Sequence, residues 1–62
     1  MQKQPKYTFD ILIRSETKRK NFFKQINRII SGLRDEGFYE AASYMIDQRD
    51  RLQAKINRLI AA

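Results

Sequence analysis

Two stretches of helical apolar periodicity meet at a glycine, and this junction constrains the fold more than any other feature. In the first stretch Phe22, Ile26, Ile29 and Leu33 recur at steps of four, three and four, and Phe23 and Ile30 widen the same face. Gly32 weakens that pattern without ending it, because the periodicity runs on to Leu33. Gly37 is the natural stop, where a glycine just beyond a helix end can take positive φ. Immediately afterwards Phe38, Ala42, Met45, Arg49, Leu52, Ile56 and Leu59 alternate at steps of four and three, the repeat of a coiled-coil seam. Ser15 or Thr17 can cap the first helix, with Glu16 well placed in its first turn. Asp47 precedes Arg51 by four residues, the favourable order for a pair along a helix. The spacing predicts helices over about 16–36 and about 38–61, folded back as an antiparallel hairpin.

Upstream the character changes. Tyr7, Phe9, Ile11 and Ile13 alternate with Thr8, Asp10, Leu12 and Arg14, a period of two over aromatic and β-branched residues. That alternation predicts a strand over about 7–14 with one buried face. An early helical turn is the other reading of the same run, since Ile11, Leu12 and Ile13 are ambiguous alone. Residues 1–6 hold the only proline and no periodicity, and are expected to form a flexible basic arm. The expected fold class is therefore mainly α: a short N-terminal strand followed by an antiparallel αα-hairpin, a single strand–helix–helix domain over 7–62.

Sixty-two residues bury little, and the usual staples are missing: there is no cysteine and no histidine. Disulfides and the common transition-metal ligands go with them. A second copy is the remaining way to complete such a fold. A lone strand also needs a mate for its backbone groups. The seam of the second helix is longer than the first helix can cover. Leu52, Ile56, Leu59 and Ile60 would then stay wet in a monomer, so these four and Arg49 are the expected interface of a homodimer. At its seam position Arg49 could pack its stem and send its guanidinium to water, or pair with a carboxylate across the interface.

Catalysis lacks its parts. No histidine base, cysteine nucleophile or Gly-rich phosphate loop is present, and adjacent Asp35 and Glu36 do not face one another on a helix. Asp47 and Asp50 share a face, but Arg49 and Arg51 beside them mark a solvated surface. A non-enzyme with no cofactor, no metal and no small-molecule substrate is expected. No apolar run approaches the roughly 20 residues needed to cross a bilayer, so a cytoplasmic protein is expected.

The net charge of +6 favours anionic partners. It is unevenly spread: residues 1–37 hold nine Lys/Arg against four Asp/Glu, residues 38–62 four against three. Lys20, Lys24 and Arg28 step by four opposite the apolar face, and Lys18 and Arg19 extend that end of the helix. Such a stripe either keeps a helix face solvated or makes a row of contacts with phosphates or acidic side chains. Cations near a helix N-terminus oppose the macrodipole, which tips the balance toward contacts. Tyr39 lies off the seam and is a further candidate for contact with a protein or nucleic acid.

Two functions follow. The first is a regulatory interaction protein that binds a protein target as a homodimer, by a helix face or a strand edge. The second starts from element order. The strand over 7–14, the junction Ile13-Arg14-Ser15-Glu16, and Glu36-Gly37 before a second amphipathic helix together resemble the ribbon–helix–helix family. That resemblance implies a dimeric DNA-binding repressor whose paired strands enter the major groove. The chain departs from the family in a first helix about two turns too long. It departs also in Asp10 and Leu12, which would face the groove beside Thr8 and Arg14.

Overall fold

A computed structural model of the protein describes residues 7–61. They form three helices: α1 (Phe9–Arg14), α2 (Glu16–Asp35) and α3 (Tyr39–Ala61). The arm expected over residues 1–6 lies outside the described residues.

The expected strand over 7–14 is corrected: among the described residues there is no strand, and this segment is helical. Its signals are local. Thr8 has extended backbone and caps the helix, its Oγ1 accepting from the Ile11 N–H at 3.2 Å. Asp10 sits in the first turn, Arg14 in the last, and the two pair at 3.2 Å. Leu12 is the buried residue of α1, although alternation placed it on the outer face. Phe9, expected inward, is partly exposed. The physical reason is backbone satisfaction: a helix closes its own hydrogen bonds, whereas one strand without a neighbour closes none.

Ser15 turns the chain from α1 into α2. Its N–H donates to the Ile11 carbonyl at 2.9 Å, ending α1, while its Oγ accepts from the Lys18 N–H at 3.2 Å, starting α2. Arg19 then reaches back: its guanidinium donates to the carbonyls of Leu12 (3.1 Å) and Ile13 (3.3 Å). These carbonyls, at the C-terminal end of α1, have no partner within that short helix, and a cation there also suits the helix dipole.

At the other end α2 closes in a Schellman motif. The Phe38 N–H donates to the Leu33 carbonyl at 2.8 Å and the Gly37 N–H to that of Arg34 at 3.1 Å, with Gly37 at φ 87°. Helix α3 returns along α2 to complete the hairpin, and α1 packs against both.

The core is thin. Leu12, Ile30, Ala42 and Ile56 are its buried side chains, supported by half-buried Phe22, Phe23, Ile26, Leu33, Met45, Ile46 and Leu52. Ile56 is the deepest at 0% exposure. Helix α2 is therefore rotated from its expected phase: Ile30 occupies the centre of the buried face and Ile29 is 50% exposed. Phe38, the first position of the expected seam, is 56% exposed. Helix α1 makes the hairpin asymmetric, packing on α2 near Phe22 and on α3 near Lys55. Its Tyr7 flank packs against Phe22, with ring centroids 5.3 Å apart and the rings tilted by 59°, and Phe9 lies under the Lys55 ammonium at 5.1 Å.

Candidate functional site

From Thr17 to Arg34 the chain carries six Lys/Arg and no carboxylate. Helix periodicity sorts these cations into separate jobs. Arg19 points inward and is held by the α1 carbonyls. Lys20 pairs with Glu16 at 3.2 Å, one turn earlier and well exposed. Lys18, Lys24 and Arg28 are exposed and form no ion pair among the described residues. The remaining acids of α1 and α3 are mostly engaged: Asp10 with Arg14, Asp47 with Arg51 at 3.0 Å, Asp50 with Arg49 at 3.0 Å. The surplus positive charge of the described residues thus concentrates on α2.

On the side away from α1, α2 and α3 enclose a cleft of about 410 Å³. Lys20, Phe23, Lys24 and Asn27 form its α2 wall together with the stem of Arg19, and Gln53 and Asn57 face them from α3. The two sides are distinguished by rotation of about 100° per residue. Phe22 meets Tyr7 whereas Phe23 lines the cleft, and Lys55 reaches Phe9 whereas Gln53 and Asn57 line the cleft. The groove continues past Lys24 and Asn27 into a depression with Arg28, Ser31, Gly32 and Asp35. On its other edge, Lys24 and Arg28 border a hollow with Tyr7, Asn21 and Gln25. Lys24 is common to all three. The result is a band of two unpaired cations and amide or hydroxyl side chains, able to donate several hydrogen bonds to carboxylates or phosphates.

Lys20, Lys24 and Arg28 fall on this band at steps of about 6 Å along the axis. Lys18 does not: two residues from Lys20, it lies about 200° round the helix on the opposite edge. Tyr39 is 67% exposed at the hairpin turn, beside Gly37, Phe38 and Glu40, and does not join the band. The cleft residues Asn27, Gln53 and Asn57 were not singled out from the sequence, and Phe23 was read there only as part of the apolar face. Gln53 and Asn57 share a face at a four-residue step, but nothing local ties that face to α2.

The residues expected to face a second copy separate as well. Ile56 is fully buried within its own chain and Leu52 half-buried, so the premise that both would be wet in a monomer is overturned; α1 packs against α3 next to Ile56, with Phe9 under Lys55. Leu59 and Ile60 stay about half exposed near the end of α3. Arg49 is 26% exposed, and its Nη1 donates to Asn27 Oδ1 on α2 at 2.8 Å while Nε and Nη2 reach Asp50. Its polar partners thus lie within the hairpin.

Among the described residues no helix is long and apolar enough to cross a membrane, and no cluster of His, Cys, Asp or Glu is grouped to hold a metal ion. Comparison with protein-family models, curated proteins and solved structures finds no significant match to this chain.

Proposed function

We propose that the protein is a non-catalytic interaction protein that works as a homodimer and presents the cationic band of α2 to an acidic surface on a protein partner. The observation that carries this reading is the concentration of unpaired cations on one helix. Lys24 and Arg28 form no ion pair among the described residues, with Asp35 the one carboxylate bordering their depression, while Asp10, Glu16, Asp47 and Asp50 are each held in a short-range pair. A partner helix with carboxylates at four-residue steps repeats the same interval of about 6 Å. Exposed Phe38 and Tyr39 at the turn supply aromatic side chains of the kind that anchor protein interfaces.

Nucleic acid is the second reading. Asn21, Gln25 and Asn27 interleave with Lys24 and Arg28, and such amides hydrogen-bond base edges as well as phosphates. Two features favour protein over nucleic acid. The ribbon of a ribbon–helix–helix reader has no counterpart among the described residues, and Tyr7, the aromatic residue at the band, is packed on Phe22 instead of being presented for base stacking.

Crosslinking of the full-length protein in native lysate, with and without nuclease, tests this against the triple variant K20E/K24E/R28E. A protein partner that survives nuclease and is lost with the triple variant is expected. Partners that vanish with nuclease would transfer the band to nucleic acid, and crosslinking indifferent to the triple variant would remove the band from function.

A further inference from the structure

One edge of α2 carries residues that nothing among the described residues explains. Gly32 sits in the helix interior, where glycine weakens a helix, yet a Cβ built there would meet nothing within 4 Å. Ile29, one turn earlier, is half exposed. Lys18 and Glu36, at the two ends, form no ion pair among the described residues.

These residues share a register. Lys18, Phe22, Gln25, Ile29, Gly32 and Glu36 follow at steps of four, three, four, three and four, a continuous seam about 27 Å long. The seam is also self-complementary when reversed about Asn27. Lys18 then meets Glu36 of the other copy, Phe22 meets Gly32, and Gln25 meets Ile29. Opposite charges face each other at both ends. The bulk of Phe22, with the Tyr7 ring tilted against it, falls opposite Gly32, where a side chain is missing and nothing else fills the space. A twofold axis requires this kind of reciprocity, in which residue i meets j and j meets i.

We infer that a second copy of this chain docks on this edge of α2, pairing α2 with α2 antiparallel about Asn27, and that Gly32 is there to admit the Tyr7–Phe22 pair. The homodimer interface thus moves from the end of α3 to α2. In this arrangement both cationic bands lie on the same side of the paired helices, since each band lies round the helix from the seam in the same sense. The inference rests on the homodimer part of the function proposed above and not on the identity of its anionic partner.

Sedimentation equilibrium of the full-length chain, without any partner, tests it. The wild type is expected to dimerise, and G32L to be monomeric with unchanged helical circular dichroism, since its side chain points into open space. K18E is expected to weaken the dimer on the order of tenfold, and K18E/E36K to restore it. Both charge changes suit the helix dipole, so a lost dimer in K18E cannot be blamed on a lost helix. A monomeric wild type at high micromolar concentration overturns the inference. So does a dimer indifferent to G32L, or one dissolved instead by L59K/I60K.

Discussion

The guanidinium of Arg49 donates to the side-chain carbonyl of Asn27 at 2.8 Å, a bond between residues 22 positions apart that ties the middle of α3 to the middle of α2. It joins a seam position of one helix to the cleft edge of the other, so hairpin geometry and the shape of the cationic cleft are linked through one side-chain pair. A bond of this type, partly open to water and made by a charged donor, contributes about 1 kcal/mol.

R49M should therefore lower stability to urea by about 1 kcal/mol while keeping most of the packing of the stem, and N27A should cost a similar amount. Because both act on one bond, the double variant should cost little more than either alone. Additive losses in urea denaturation would show that the bond carries no coupling and that each residue acts separately.

The complete burial of Ile56 makes a sharp contrast with half-exposed Leu59 in the same helix. I56A should destabilise by about 2–5 kcal/mol, enough to unfold a domain this small, whereas L59A, half exposed, should cost under about 1 kcal/mol. Undocking α1 should mimic the first change. L12A, which removes the buried residue of α1, should expose Ile56 and raise hydrogen exchange at the end of α3 before it affects the hairpin turn. Equal protection at both ends in L12A would show that α1 does not hold this part of the core.

The two glycines should respond with opposite sign. G37A forces a side chain into the left-handed region at φ 87° and should cost about 1–2 kcal/mol. G32A sits in a regular helix with open space around it and should raise monomer stability by roughly 0.5–1 kcal/mol. Thermal denaturation at concentrations below self-association measures both.

What the sequence by itself determined is local. Helical periodicity on both sides of Gly37, the positive φ of that residue, a cap at Ser15 or Thr17 (the structure uses Ser15), the Asp47–Arg51 pair and the four-residue stripe of Lys20, Lys24 and Arg28 each depend on residues within about one turn of one another. Their geometry follows from 3.6 residues per turn, whatever the rest of the chain does. Tertiary structure decided the rest. Alternation over 7–14 was compatible with a strand or with a turn and a half of helix, and the outcome followed from which conformation could satisfy its backbone and still bury Leu12 on the hairpin. In the folded chain Ile56 is the deepest residue and Leu52 is half-buried. Ile30, rather than Ile29, holds the centre of the α2 face. Arg19 was drawn from the cationic row to the carbonyls of Leu12 and Ile13, and Arg49 turned to Asn27. Periodicity shows that a helix has an apolar face; the element that covers each part of it is set by burial between residues far apart in the chain, which no local pattern encodes.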